Sequence, residues 1–201
     1  PLQFLPVKTG LPGPGQSGTS NDDNVDYSIK LSYELNDQVT IYGGLATGYK
    51  ASQWNLSRDS APAQAELTAL LAAGFTAPPN FTMGTRKANA EEGEVYEIGA
   101  KMLFEQGSLN ITYFDQTVED FVNNTFFGTG FVLANAGEQS AKGLEFDLLY
   151  SPTENLDLAL SGMFIDSKYD SFTGSIAGDV SGQDVEGVHP ESLSASITWN
   201  W

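Results

Sequence analysis

An unbroken alternation of apolar and polar residues at positions 25–35 is the feature that most restricts how this chain can fold. The apolar residues occupy every second position, namely Val25, Tyr27, Ile29, Leu31, Tyr33 and Leu35. Because successive side chains of a β-strand point to opposite sides, this period of two gives a strand with one apolar and one polar face. A tight turn at Asn36 follows, and residues 39–49 resume the apolar row, so the stretch predicts a long hairpin.

The length of the two predicted strands separates two classes of β protein. Strands of globular proteins usually have about 5–6 residues, whereas a tilted strand that crosses a bilayer needs roughly 9–11. Both arms of the predicted hairpin reach the larger value. The length therefore favours a transmembrane β-barrel over a soluble sandwich.

The same alternation recurs further along the chain. The later predicted strands cover residues 94–104, 109–121, 143–150, 156–165 and 192–201. The sequence thus predicts an all-β fold, an antiparallel up-and-down meander of about seven long strands that forms an arc of a larger transmembrane β-barrel. Because single-chain bacterial barrels have an even number of strands, we expect the chain to be an internal piece of a longer protein.

The predicted connections alternate in length. Short turns fall at Asn36, Gly107 and Thr153, whereas the connections at 50–93, 123–130 and 166–190 are longer. Outer-membrane barrels have short periplasmic turns and longer extracellular loops, whereas a soluble sandwich has no reason to sort its loops by end. We therefore expect a partial barrel at residues 25–201, a loop lead-in at 1–24, and a long extracellular loop at 50–93.

One short helix is predicted within the long extracellular loop, at residues 60–74. Ser60 suits the N-cap, Pro62 suits the first turn, and Gly74 suits the helix end. Leu67, Leu70 and Leu71 form only a narrow apolar stripe, which favours a surface helix that packs on its own loop.

Composition and chemistry exclude several classes of function. The 201-residue chain has 9 basic and 26 acidic residues, a net charge of −17, so we expect no nucleic-acid partner. It has no Cys and a single His, His189, which leaves no residues for a thiolate metal site or a His-based triad. The sequence thus predicts neither an enzyme nor a cofactor.

Three acidic groups allow an alternative interpretation. Asp115, Glu119 and Asp120 could suggest paired glycosidase carboxylates, but three acids at one strand end are more often rim charges. The run at 91–94 is interpreted as a solvated charge run, and the acids at 179–186 do not match a calcium loop.

Four segments in series carry a family resemblance. They are residues 31–60, with a hairpin that ends in GYK, 94–121, with a YEIG strand, 135–169, with NAG followed by KGLE, and 189–199. In this order they resemble the C-terminal part of the barrel of TonB-dependent outer-membrane receptors. The resemblance spans nearly the whole chain except residues 1–23 and the loop tips.

The resemblance implies a barrel of about 22 strands in the bacterial outer membrane, plugged by an N-terminal domain that this sequence lacks. The partners that it implies are the TonB–ExbB–ExbD complex, reached through the plug, the outer-membrane lipid, and a small-molecule or metal-chelate ligand. The ligand would be a scarce one, such as an iron–siderophore complex, cobalamin or an oligosaccharide.

Ligand contacts are expected in the outer loops, because loops on a rigid scaffold carry binding. Trp54, Arg58 and Arg86 are the large or cationic groups in an acidic, small-residue background, and Arg side chains suit an anionic ferric siderophore. Ordinary loop packing is the alternative interpretation of these three side chains. Two alternative functions stay open at this point. They are a passive outer-membrane porin and, less favoured, a soluble β-sandwich binding module.

Overall fold

The computed structural model describes residues 19–54, 68, 72–74, 87–127, 130–135, 137–173, 175 and 177–201. Eleven strands are found there: β1 (Ser28–Asn36), β2 (Val39–Lys50), β3 (Gln53–Trp54), β4 (Lys87–Ala88), β5 (Glu91–Phe104), β6 (Gly107–Glu119), β7 (Val122–Phe127), β8 (Gly130–Asn135), β9 (Glu138–Thr153), β10 (Leu156–Ser171) and β11 (Glu191–Trp199). Seven of them form one sheet in the order β1-β2-β5-β6-β9-β10-β11, and all of its neighbours pair antiparallel.

The predicted meander of seven long strands is confirmed, and the structure extends it. The predicted loop at 123–130 is wrong, because β7 and β8 form a hairpin there. A second small hairpin pairs β3 with β4. Both hairpins stand at the end of the strands where long connections join them. We call this end of the sheet, taken across all seven strands, the long-loop edge. The three short turns, at 37–38, 105–106 and 154–155, lie at the opposite edge.

The strands that reach the long-loop edge are longer than the sequence predicts. β5 begins at Glu91 and β10 continues to Ser171, whereas alternation suggested limits of 94 and 165. Most of the predicted helix at 60–74 lies outside the described residues, although Thr68 and Ala72 have helical backbone conformation. Within the described part of the chain, no helix is long and apolar enough to cross a membrane.

Register places the apolar residues of all seven strands on one face of the sheet. Residues that pair directly across antiparallel strands share a face. One such row runs from β1 to β10 through Leu31, Gly43, Ile98, Tyr113, Leu144 and Phe164. The next row runs through Tyr33, Ile41, Ala100, Ile111, Phe146, Gly162 and Leu193.

This apolar face is not covered by any other element that the structure describes. Leu31 is 74% exposed, Ile98 64% and Ile197 75%. A soluble sandwich would bury the same side chains against a second sheet. The two remaining sheets are only small hairpins at the long-loop edge, so the sandwich alternative is wrong for the described residues.

The apolar band crosses the rows of paired residues obliquely. The row that starts at Ile29 and Leu45 is apolar as far as Tyr96 on β5 and then becomes charged, at Asp115, Lys142 and Asp166. At the opposite edge the apolar face continues on β9–β11, for example at Leu158 and Ile197. An oblique band is the pattern expected when strands tilt by roughly 35–45°, as in outer-membrane barrels.

The polar face carries a tightly packed group around Tyr42, which is only 8% exposed. The Tyr42 hydroxyl lies 2.5 Å from Thr112 Oγ1, and its ring lies over Gly99 on the neighbouring strand. The Lys30 ammonium lies 4.7 Å from the ring centroid and also pairs with Glu97 at 3.7 Å. Gly99 therefore makes room for an aromatic ring that links three strands.

We predict that Gly99→Val destabilises the sheet by about 1–3 kcal/mol, the usual range for overpacking. A Cβ at Gly99 would collide with the Tyr42 ring and would lie 2.7 Å from the Ile111 carbonyl oxygen, which cannot move without breaking the ladder. The measurement is the urea midpoint of the refolded full-length protein in detergent. Gly48→Val, on the same face with no atom within 4 Å of an added Cβ, is the matched control and should shift stability by less than about 0.5 kcal/mol. Equal effects of the two substitutions would contradict this packing.

Candidate functional site

The candidate site is assembled at the long-loop edge, beginning with Trp54. Trp54 lies on β3 directly across from Lys87 on β4, so the two side chains share one face of the hairpin. The indole is 38% exposed, and its Nε1–H donates to Ser20 Oγ at 3.3 Å. Ser52 Oγ donates to Asp22 Oδ2 at 2.6 Å, so residues just before β1 also lie against this hairpin.

Of the three predicted ligand contacts, Trp54 lies among the described residues. The structure places Trp54 at the long-loop edge, partly exposed, whereas Arg58 and Arg86 lie outside the described residues. Lys87 is an exposed cation next to Trp54 that the sequence analysis did not select. An indole beside an ammonium group offers a stacking surface and a positive charge for an anionic aromatic ligand.

Glu91 occupies the root of this hairpin, at the start of β5. Its Oε1 accepts from Lys50 Nζ at 2.9 Å and from the Val122 N–H at 2.7 Å. Glu91 is only 8% exposed, so the interpretation of residues 91–94 as a solvated charge run is wrong for Glu91. The sequence alone gives no signal for this burial, because the pairing of Lys50 with Glu91 across β2 and β5 appears only in the register of the sheet.

Asn135, at the end of β8, makes three hydrogen bonds to main-chain groups. Its Oδ1 accepts from the Asn89 N–H at 2.9 Å, and its Nδ2 donates to the carbonyls of Asn89 and Asp120, at 3.3 and 2.6 Å. Asp120 has a φ of 52°, a left-handed conformation that turns the chain sharply from β6 toward β7. Asn135 therefore connects the ends of β4, β6 and β8. No local pattern in the sequence marks such contacts, so Asn135 could not be predicted.

A small apolar cluster fixes the connection between β10 and β11. Tyr169 and Phe172 are 6% and 3% exposed, with ring centroids 5.3 Å apart, and Phe121, Val180 and Val185 pack against them. Main-chain bonds from Val180 to Phe172, at 3.1 Å, and from Val185 to Ser167, at 3.0 Å, fold this connection back onto β10.

The acidic groups at this edge lie in charged rows of the sheet. Among the described residues, no group of three or more His, Asp and Glu side chains is arranged to hold a metal ion. Asp115, the first acid of the glycosidase alternative, lies directly across from Lys142 as one member of a charged row. Partly exposed side chains on hairpins that a rigid sheet supports are a usual form of ligand-binding surface.

The fold defines the class of protein as an arc of a transmembrane β-barrel. A family model described as TonB dependent receptor-like, beta-barrel, matches residues 6–201. The chain therefore belongs to the family of TonB-dependent receptors, which are outer-membrane β-barrel proteins of the transport-receptor type.

Solved structures show the same fold. The ferric yersiniabactin uptake receptor FyuA from Yersinia pestis is 24% identical, with a TM-score of 0.63 over 90% of this chain and 23% of its own. A variant of the ferric enterobactin receptor PfeA from Pseudomonas aeruginosa, in complex with enterobactin, is 17% identical, with a TM-score of 0.55 over 88% and 26%. The FrpB iron transporter from Neisseria meningitidis is 16% identical, with a TM-score of 0.54 over 89% and 24%. The chain thus spans about a quarter of the length of these proteins.

We predict a titration at the long-loop edge that depends on Ser181. The Ser181 hydroxyl, and then its backbone N–H at 3.0 Å, donate to Asp179 and hold the pKa of that carboxyl below its ordinary 3.8. A lowered pKa means that ionised Asp179 stabilises the loop above pH 3.8 and loses this effect as pH falls through the lowered value. Carboxyl ¹³C shifts of the full-length protein should show the low pKa, and Ser181→Ala should raise it toward 3.8. An unchanged pKa in Ser181→Ala would contradict the assignment.

Proposed function

We propose that this chain is a segment of an outer-membrane receptor that takes up a scarce ligand with energy from the TonB system. The observation that carries the proposal is the family match over residues 6–201, which covers every strand of the sheet. The uncovered apolar face supports it, because a sheet with such a face needs hydrocarbon or another protein to cover it. The alternative of a passive porin gains no support from a family of receptors.

The ligand that we propose first is a ferric siderophore. The similar structures include a ferric yersiniabactin receptor, a ferric enterobactin receptor and an iron transporter. A copper transporter is also among them, so metal uptake is their common theme. Cobalamin and an oligosaccharide are the competing ligands that the test must include.

The proposed ligand contacts are Trp54, Arg58 and Arg86, to which we add Lys87. Trp54 and Lys87 share one hairpin face, and an indole can stack on a catecholate or another planar ligand group. Cations at this edge would attract the negative charge of a ferric chelate, as bidentate Arg side chains do for carboxylates and phosphates.

The partners and boundaries follow from the same proposal. Residues 25–201 would be a partial barrel in the bacterial outer membrane, residues 1–24 a lead-in, and residues 50–93 a long extracellular loop. The plug domain and the TonB–ExbB–ExbD complex would act on the intact protein. Lipid would cover the apolar face, and the protein would be neither an enzyme nor a binder of nucleic acid.

Uptake in a deletion strain tests the function. Cells that express the full-length protein should accumulate ⁵⁵Fe from ferric enterobactin or ferric yersiniabactin, and a tonB deletion should abolish this uptake. Parallel arms measure labelled cobalamin and maltooligosaccharides. Transport of one of these in place of iron would overturn the siderophore assignment, and uptake without TonB would favour a porin.

Binding to the same cells tests the proposed contacts. Trp54→Ala, Arg58→Ala, Arg86→Ala and Lys87→Ala should each weaken binding of the transported chelate by roughly tenfold, the order of an interface hot spot. Trp199→Ala is the matched control, because it removes the same side chain from the apolar face near the short turns. Unchanged affinity in all four variants would contradict these contacts.

Neighbouring residues on β10 test the membrane location. Leu160 lies on the apolar face and Ser161 on the polar face. Leu160→Arg should destabilise the protein in lipid vesicles by about 2–4 kcal/mol, because it places a charge in hydrocarbon, whereas Ser161→Arg should cost less than about 1 kcal/mol. Guanidinium unfolding in vesicles measures both values. A larger cost for Ser161→Arg would reverse the assignment of the faces.

A further inference from the structure

The two hairpins of the long-loop edge stand outside the main sheet. Among the described residues, β3 and β4 pair through Gln53 with Ala88 and Trp54 with Lys87. β7 and β8 form a separate hairpin of two six-residue strands. Because an isolated two-stranded hairpin is marginally stable in water, contacts with the rest of the protein help to set where each hairpin points.

Those roots are joined by side chains of Glu91 and Asn135. Glu91 links Lys50, the last residue of β2, to the N–H of Val122, the first residue of β7. Asn135, the last residue of β8, forms hydrogen bonds with both the N–H and the carbonyl group of Asn89, just after β4. One end of each hairpin is therefore fixed through Glu91 of β5, and the other end through the direct contact of Asn135 with Asn89. We call Lys50, Asn89, Glu91, Val122 and Asn135 the hairpin clamp.

Burial makes the clamp stiff. Ala88 and Val122 are 1% and 8% exposed, and they lie beside the two polar contacts. The Glu91 side chain is only 11% exposed, so its carboxylate depends on Lys50 and on the Val122 N–H for solvation that water would otherwise supply. Removal of one partner of such a group leaves a costly buried charge, which then protonates or turns to solvent.

We propose that Glu91 and Asn135 are positioning residues that make the β3–β4 and β7–β8 hairpins respond to ligand as one unit. A ligand that contacts Trp54 on the β3–β4 hairpin then also orders the β7–β8 hairpin. The effect passes from one hairpin to the other through the hairpin clamp. The ligand part of this inference rests on the proposed function, whereas the joining of the hairpins does not.

The test is hydrogen–deuterium exchange of the full-length protein, read in each hairpin after a change in the other. Lys50→Met removes the cation that holds Glu91, so amides of β7 and β8 should exchange on the order of tenfold faster. Asn135→Asp removes both Nδ2 donor bonds and turns a carboxylate toward two carbonyls, so amides at 53–54 and 87–89 should exchange faster by a similar factor.

Two variants serve as controls. Lys50→Arg keeps the cation and should restore slow exchange. Lys30→Met breaks a Lys–Glu pair on the same sheet, at 3.7 Å from Glu97, away from both hairpins, and should change neither of them. Protected amides in β6 show that the sheet itself is folded in every variant. If each substitution affects only the hairpin or strand that carries it, the two hairpins are independent and the proposal is overturned.

Hydrogen–deuterium exchange in the presence of ligand distinguishes coupling of the hairpins from a purely structural role of the clamp. Ferric enterobactin and ferric yersiniabactin serve as the probes. In the unaltered protein the bound probe should slow exchange in both hairpins, and in Lys50→Met only in the β3–β4 hairpin, with an affinity on the order of tenfold weaker. Protection of both hairpins in Lys50→Met would overturn the coupling. If neither probe binds the unaltered protein, the siderophore assignment fails, while exchange without ligand still decides whether the clamp joins the hairpins.

Discussion

The hydrogen-bond ladder between long antiparallel strands is the interaction on which the rest of this structure depends. β5 and β6, for example, pair without a break from Glu92 and Glu119 to Phe104 and Gly107. In hydrocarbon each unpaired backbone group costs several kcal/mol, so proteins of an outer-membrane family can cross only with strands whose ladders are complete. The register of the ladder then decides which side chains share a face. A slip of one residue would exchange the faces of a strand.

The same ladder supports the candidate site. Beyond the apolar band it continues through the charged row of Asp115, Lys142 and Asp166, and several strands extend further still. The strand ends therefore place the hairpins beyond the apolar band of the sheet. The cluster of Tyr169 and Phe172 and the hairpin clamp lie on these strand extensions. The sheet therefore determines the position of both groups of contacts.

Alternation predicted the long strands because each residue of a strand with one apolar face follows the period of two, as in residues 25–35. It did not predict the β7–β8 hairpin, since the segment from Val122 to Phe127 has no alternation and precedes a glycine-rich stretch. Nor could it predict that Glu91 is buried, because burial there arises from a register pairing with Lys50, about forty residues earlier, and from the distant N–H of Val122. Trp54 was selected from its size alone, whereas Asn135 has no local signal. The ligand contacts of Trp54, Arg58 and Arg86 remain predictions.

Local charge, rather than net charge, decides what this edge can bind. The chain carries a net charge of −17, which by itself would repel an anionic chelate. Salt screens exposed charges beyond about 8 Å at physiological ionic strength, so most of the acidic residues act weakly on a ligand seated at one hairpin. There, Lys50 is engaged by Glu91, whereas Lys87 lies directly across from Trp54. The Lys50–Glu91 ion pair thus offsets one negative charge with one positive charge, and Lys87 is the cation that shares the hairpin face with Trp54. Asp22 also lies against this hairpin, through Ser52, so the local field there is set by the balance between that carboxylate and Lys87 rather than by the net charge of the chain.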